Sequence, residues 1–417
     1  MADRNSPTSP IKGTDVEMQN VDVLVSGGGI AGLIAAAAFG ASGFKTLMVD
    51  PSQPIITGDE AGSDLRSTAF LRPARDLFKR IGIWEALEPH ATPLDSLKIV
   101  DTVTGDAGQP EIRTERQFDG RETGDEPFGW NFLNWVIRRE LARAVPEIKN
   151  VTLRYGVGFK NLLTRTDEAL VTLSDGSRIR AKLVIAADGR NSPVREAAGI
   201  GVKTTRYGQK SLAFTATHEL PHHNISTEIY REGGPFTMVP LPDVDGKPAS
   251  AIVWMNPGAY ATELLHMDEE AFNATMTARS AGLFGKLELA SGRGIFPIIT
   301  RLAESLSSER VAVIAEAAHV LPPIGAQGLN TSLNDLAELL ELSEAHRGEL
   351  GCRTMLDSYA RTRHRDIATR ARVVDVFNRV VRSEDEVLRA VRLLGLKAVH
   401  DLKPVRRKVM EAGLGPI

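Results

Sequence analysis

Residues 21–50 read VDVLVSGGGIAGLIAAAAFGASGFKTLMVD. Val21, Val23, Leu24 and Val25 form a short apolar run suited to a buried strand, and Ser26-Gly27-Gly28-Gly29-Ile30-Ala31-Gly32 turns into an alanine-rich helix. That helix should stop at Gly40 to Gly43, after which Thr46-Leu47-Met48-Val49 makes a second strand ending at Asp50. A β-α-β unit of about 30 residues with the spacing G-x-G-x-x-G at Gly27, Gly29 and Gly32 is a dinucleotide-binding fingerprint. Gly27 permits the tight turn, Gly29 lets a pyrophosphate approach the backbone, and Gly32 allows the helix to pack closely on the strand. The unpaired N–H groups of the first helical turn, Ala31 among them, point at the phosphates together with the positive end of the helix dipole. Asp50 is placed to accept hydrogen bonds from an adenosine ribose. Glycine spacing alone can be a mere turn; the flanking strands, the helix and the terminal acid together make it a dinucleotide site. The motif does not separate FAD from NAD.

At 417 residues the chain is long enough for two or three cooperating lobes with a large buried core. A net charge of −3 and 42% apolar residues describe an ordinary water-soluble protein and give no footing for a nucleic-acid partner. A single cysteine, Cys352, excludes an internal disulfide and suits a reducing, cytoplasmic setting; it reads as a buried helix residue. Residues 1–20 are polar and read as a loose tail. No apolar run approaches the roughly 20 residues that cross a bilayer.

Farther along, a helical pattern runs from Ser67 through Leu71, Leu77, Phe78 and Ile81. Arg66, between the preceding loop and that pattern, suits either a phosphate or flavin contact or a solvated surface charge. Residues 94–128 open a β-rich lobe, and a helix starts at Asn134, the expected N-cap. Three alternating runs between Val151 and Ile179 read as a β-meander, and residues 201–295 are again β-rich. His222 and His223 sit in a proline-containing turn with no further ligand at metal spacing, so they read as surface residues and no metal is assigned. A second sharp segment runs from the apolar Leu183-Val184-Ile185-Ala186 strand into Ala187-Asp188-Gly189, then Ser192-Pro193 and a helix whose early Arg195 faces back. The third comprises Arg310 to His319, a buried strand ending at Glu316, then Pro322-Pro323-Ile324-Gly325-Ala326-Gln327-Gly328 and a helix starting near Leu329. Beyond it the chain is helical, with basic patches at Arg361, Arg363 and Arg365 and at Arg406-Arg407-Lys408 that suit a solvated helix face or a docking surface for a partner or anionic lipid.

These three segments, in this order, resemble the class A FAD-dependent aromatic hydroxylases, and within them the ubiquinone-biosynthesis hydroxylase family. The carriers are the glycine turn with Asp50, Asp64-x-Arg66, Ala187-Asp188-Gly189 with Ser192 and Arg195, Gly234-Pro235 leading to Val239-Pro240-Leu241-Pro242, and Glu316-Ala317-Ala318-His319 with Pro322-Pro323 and Gln327-Gly328-Leu329-Asn330. The resemblance implies an α/β fold: an FAD/NAD(P)-binding Rossmann-like domain, a β-sheet substrate domain and C-terminal helices, like p-hydroxybenzoate hydroxylase. Residues 21–93, 129–200 and 296–345 would hold FAD, residues 94–128 and 201–295 the substrate, and residues 346–417 would be helical. Cofactor contacts are expected from Gly27, Gly29, Ala31, Gly32, Asp50, Arg66, Asp188, Glu316, Pro323, Gln327, Gly328, Leu329 and Asn330. The chain departs from the usual Gly-Asp-Ala-Ala-His by carrying Ala315 and Glu316, and from Ala-Gly-Gln-Gly by carrying Gly325 and Ala326. The longer acid still reaches a hydroxyl, while Ala315 adds a methyl where backbone and cofactor crowd.

The implied activity is a monooxygenase in which NAD(P)H, a transient co-substrate, reduces FAD, and one atom of O₂ passes to an electron-rich ring, a polyprenylated phenol in the ubiquinone branch. No side-chain nucleophile is needed, and His319 suits a polar flavin neighbour or a structural role at the strand end. A prenylated substrate implies peripheral contact with the inner membrane or delivery by a biosynthetic complex. The rival readings are a hydroxylase of a soluble aromatic acid or antibiotic precursor, a flavin reductase of isoprenoid chains, and a flavoprotein scaffold without turnover.

Overall fold

The computed structural model describes residues 18–104, 110–231, 233–323, 325 and 327–382. Met18 already starts a strand, so the tail expected over residues 1–20 does not hold for its last three; residues 1–17, Ala326 and the basic patch at Arg406 to Lys408 lie outside the described residues.

Strand β1 (Met18–Ser26), helix α1 (Ile30–Ala41) and strand β2 (Thr46–Asp50) form as the sequence dictates. Val23, Leu24 and Val25 are fully buried, as is α1 from Leu33 to Phe39, so this unit is central to the first core. Strand β3 (Val151–Tyr155) lies parallel beside β2, strand β4 (Arg178–Ala186) parallel on the other side of β1, and the Val311–Val313 strand parallel beyond β4. The registers pair Ser26 with both Val49 and Ala186, Asp50 with Tyr155, and Ala186 with Val313. Five parallel strands therefore release their carboxyl ends along one edge, the place where open α/β sheets bind ligands. Val151 to Tyr155 is thus not part of a meander; only the strands Phe159–Thr164, Ala169–Leu173 and β4 run antiparallel in sequence.

The second sheet has nine strands. Its middle is β5 (Val202–His218), β6 (Ile225–Arg231), β7 (Gly234–Val244) and β8 (Lys247–Pro257), with Ser96–Thr104 and Pro110–Asp119 added at one side and β9 (Gly294–Ala303) at the other. The boundary expected at residue 296 falls inside β9. Alternation along these strands puts Leu212, Phe214, Ile229, Phe236, Met238, Ile252 and Trp254 on one face, against Leu264 of α2 (Gly258–His266) and Phe272 and Met276 of α3 (Glu269–Arg279). The opposite face carries Ser211, Thr215, Glu228, Thr237 and Phe296.

A small third sheet corrects two local expectations. Ser67–Leu71 is a strand paired with Gly129–Leu133, and the helix begins only at Arg72. Leu133, not Asn134, is the cap of the helix Asn134–Ala144; the Asn134 side chain instead bonds Thr68 and Asp64. The described residues end with α4 (Gln327–Ala345) and α5 (Arg353–Arg382); Cys352 is part-exposed just ahead of α5 rather than buried within a helix. His222 is part-buried, with its ring bonded to the Leu241 carbonyl and burial pushing its pKa down, so only His223 is the expected surface residue. Among the described residues, no helix is long and apolar enough to cross a membrane.

Candidate functional site

The glycine turn is fixed by space and by backbone angle. Gly27 has φ +111°, and a Cβ there would lie 2.4 Å from the Ala187 carbonyl oxygen; a Cβ on Gly32 would lie 1.9 Å from the Gly27 oxygen. These two positions tolerate no side chain. At Gly29 nothing lies within 4 Å of a built Cβ, so the absence of a side chain there answers to no neighbour in the protein. Gly29 caps α1 without any side-chain hydrogen bond, leaving the first-turn N–H groups of Ile30, Ala31 and Gly32 free of side-chain caps. Asp50 shapes the same turn, accepting from the Gly28 N–H at 2.6 Å and the Ser52 N–H at 2.8 Å.

Asp188 leaves the carboxyl end of β4 beside this turn. One of its oxygens accepts from the Ser26 hydroxyl at 3.3 Å and the Val194 N–H at 3.2 Å, while Oδ1 is buried without a partner in the protein. Burial pushes the carboxyl above its ordinary range, against these hydrogen bonds. Ser192 caps the short helix Pro193–Ala197 through the Arg195 N–H. Arg195 does turn back: it is buried, and its Nη1 donates to the Arg190 carbonyl at 3.2 Å and the Ala317 carbonyl at 2.8 Å, tying the second segment to the third.

In the third segment Ala315 has φ +54°, the left-handed region that glycine occupies without penalty. This accounts for the glycine usual there: the chain must bend sharply as it leaves the Val311–Val313 strand. Ala315 N–H donates to Asp335 Oδ2 at 3.3 Å, and the same oxygen is 2.6 Å from His319 Nε2. Arg363 Nε donates to Asp335 Oδ1 at 2.9 Å. Burial would raise the Asp335 carboxyl, but His319 and Arg363 hold it below its ordinary range. His319, with a side chain only 1% exposed, is thus a structural clamp on a buried carboxylate, and Arg363 is no part of a solvated face. Glu316, by contrast, is half-exposed and lies 3.8 Å from Arg66 Nη1.

Arg66 meets both lobes. Asp64 grips it twice, at 2.8 and 2.7 Å, and its guanidinium lies 4.8 Å from the centre of the Phe296 ring on β9. Asn330 bonds the Ala69 carbonyl at 2.7 Å and the Leu71 N–H at 3.1 Å, so its side chain clamps the Ser67–Leu71 strand onto α4. Gln327 opens α4; Gly328 next to it has nothing within 4 Å of a built Cβ, Leu329 is part-buried, and Pro323 is exposed just upstream.

Four side-chain links therefore join the separate segments: Ser26 to Asp188, Arg195 to Ala317, Glu316 to Arg66, and Asn330 to the Ser67–Leu71 strand. The residues fit a flavin dinucleotide: uncapped N–H groups over an open glycine for the pyrophosphate, a ribose acceptor at Asp50, and buried polar atoms without protein partners at Asp188 Oδ1 and Tyr155 Oη along the same edge. Sequence reading did not find Tyr155, Asp335 or Phe296. None stands in a motif, and each reaches the site only through strand register or helix packing.

Residues 20–373 match a family described as FAD binding domain. The chain is similar along its whole length to the ubiquinone hydroxylase UbiL of Rhodospirillum rubrum, 29% identical over 418 residues that cover 100% of this chain and 94% of the relative. It is 25% identical over 401 residues to the 3-demethoxyubiquinol 3-hydroxylase of Escherichia coli, covering 95% and 99%. Among solved structures, p-nitrophenol 4-monooxygenase PnpA of Pseudomonas putida superposes with a TM-score of 0.76 at 18% identity, covering 96% of this chain and 99% of that one, a likeness of fold. The chain belongs to this FAD-binding family, takes FAD as its cofactor, and is an FAD-dependent monooxygenase.

Proposed function

We propose that the protein hydroxylates the aromatic ring of a polyprenylated phenol on the route to ubiquinone, with NAD(P)H as reductant and O₂ as oxidant. The observation that carries this reading is the full-length similarity to relatives named for hydroxylation in the ubiquinone series. FAD, when bound, would supply the redox chemistry between the nicotinamide and O₂. The chain's residues bind, orient and shield. Gly27, Gly29, Ala31 and Gly32 receive the pyrophosphate on backbone N–H groups, with Asp188 beside them, and Asp50 takes the adenosine ribose. Arg66, braced by Asp64 and Phe296, stands on the isoalloxazine side, and Glu316 serves the ribityl chain. The N–H groups from Gln327 to Asn330, entered through Pro323 and Gly328, face the pyrimidine edge, where a helix N-terminus favours the negative charge of reduction. His319, buried with its Nε2 on Asp335, serves the clamp behind the third segment.

Peripheral contact with anionic lipid belongs to the same reading. Exposed Arg361, Arg365 and Arg372 share a face of α5 with Val373 and Val376, 63% and 61% exposed, and such a basic and apolar stripe suits a charged bilayer surface. The test is to follow NAD(P)H and O₂ consumption by the purified yellow protein with a prenylphenol and with a soluble phenolic acid. Oxygen uptake driven by the prenylphenol, with hydroxylated product, is expected. Turnover with the phenolic acid alone would replace this substrate class, and a protein that holds flavin but consumes no O₂ would sink the reading.

A further inference from the structure

Tyr155 ends β3 directly opposite Asp50 in the parallel register. Its ring closes over the glycine turn: a Cβ built on Gly28 would lie 3.0 Å from Tyr155 Cε1 and 3.0 Å from Asp50 Cβ. The hydroxyl is buried and has no hydrogen-bond partner in the protein. Burial and the nearby Asp50 carboxylate push the phenol up to about 12, with the Arg138 cation acting in the opposite sense, so the group is a neutral donor at any working pH. A buried donor left unpaired destabilises a fold unless something else completes it.

We propose that the Tyr155 hydroxyl, beside the Asp50 carboxylate, donates to the adenosine half of FAD and adds to the preference of the chain for FAD over FMN. Asp50 offers acceptors to ribose hydroxyls; Tyr155 offers the complementary donor to a ribose oxygen or an adenine nitrogen. FMN lacks the adenosine altogether and loses both. The inference rests on the placement of FAD at the glycine turn.

The experiment compares wild type with Tyr155→Phe, which keeps the ring and removes only the hydroxyl. Apoprotein of each is titrated with FAD and with FMN by quenching of flavin fluorescence, AMP is used as a competitor, and the melting temperature of each apoprotein is recorded. The variant should bind FAD about tenfold more weakly, the loss of a single well-made hydrogen bond. Its FMN affinity should not change, and the dissociation constant of AMP, obtained from the competition, should rise by a similar factor. The apoprotein should melt at the same temperature as wild type or higher, because an unpaired buried hydroxyl has been removed. FAD affinity within twofold of wild type, an equal loss for FMN, or a lower apoprotein melting temperature would overturn the assignment; the last marks a hydroxyl that serves the fold. Wild type that takes up neither FAD nor AMP would overturn the placement of the cofactor itself, and this inference with it.

Discussion

The two large sheets build their halves of the proposed site by different means. The middle of the parallel sheet is buried on both faces, with β2 and the ends of β1 and β4 as near-continuous apolar runs, and the proposed cofactor groups lie where its strands stop: the glycine turn, Asp50, Tyr155, Asp188 and Glu316. Backbone makes most of that half, and glycines with no room for a methyl fix it. The nine-stranded sheet buries one face against α2 and α3 and carries Ser211, Thr215, Glu228, Thr237 and Phe296 on the other. Side chains make that half, so in the proposed reading changes along those strands would alter substrate chemistry without disturbing the glycine turn.

That contrast breaks most severely if the buried clamp behind the third segment is removed. Asp335→Asn removes one of the two carboxylates that face the buried Arg363, leaving only the part-exposed Asp366 at 2.9 Å, and should lower stability by about 3–4 kcal/mol, read by urea unfolding. Because the Asp335 carboxyl is held low in the folded protein, its stabilisation is present above the unfolded value of about 3.9 and is lost as pH falls through the folded value. The gap between wild type and variant should therefore close in strong acid; a gap independent of pH would refute the pairing.

Next in size is a pair of glycine changes that separates fold from cofactor. Gly32→Ala drives a methyl against the Gly27 oxygen and should destabilise the apoprotein by about 3 kcal/mol. Gly29→Ala should leave apoprotein melting unchanged, yet purify colourless, because its methyl meets no protein atom and stands in the path of the pyrophosphate. Equal melting losses in the two variants would show that the open side of Gly29 is a packing accident.

The second sheet should respond in the opposite sense. Burial pushes the Glu228 carboxyl up, with the Tyr230 hydroxyl partly offsetting it. A raised folded value means its contribution is full below the unfolded value of about 4.3 and is lost as pH rises through the folded value. Glu228→Gln should thus be at least as stable as wild type at pH 8, with a gain below about 1.5 kcal/mol that disappears toward pH 4. A variant less stable at pH 8 would mean that this face needs the charge.

The smallest effect concerns Ala315. Ala315→Gly relieves a non-glycine residue held at φ +54° and should raise stability by about 0.5–1 kcal/mol, visible as a small upward shift in melting temperature. A fall would show that the methyl packs usefully enough to outweigh the strain.

Much of the first sheet was legible because its signals are local. An apolar run, a glycine turn, an alanine-rich helix and a terminal acid all lie within residues 21–50, and the structure forms them there. Ser67–Leu71 misled because its apolar spacing suits a short helix as well as a strand. The Gly129–Leu133 strand, some sixty residues on, supplies the ladder that decides it. Asn134 carries the signature of a cap, yet its amide is engaged by Thr68 and Asp64, and Leu133 holds the cap position by backbone angle alone. Val151 to Tyr155 alternates like a meander strand, and only pairing with β2 moves it into the parallel sheet.

Sequence by itself determined the β-α-β unit and its dinucleotide fingerprint, because glycine spacing and strand periodicity act over a few residues and need no distant partner. It also named Asp188, Glu316 and the start of α4 through the resemblance they carry. Tertiary structure decided what surrounds them: that His319 is gripped by Asp335, that Arg66 rests on Phe296, and that Tyr155 stands beside Asp50. Those placements depend on register and packing between segments far apart in the chain, where a shift of one residue would turn each side chain to the other face.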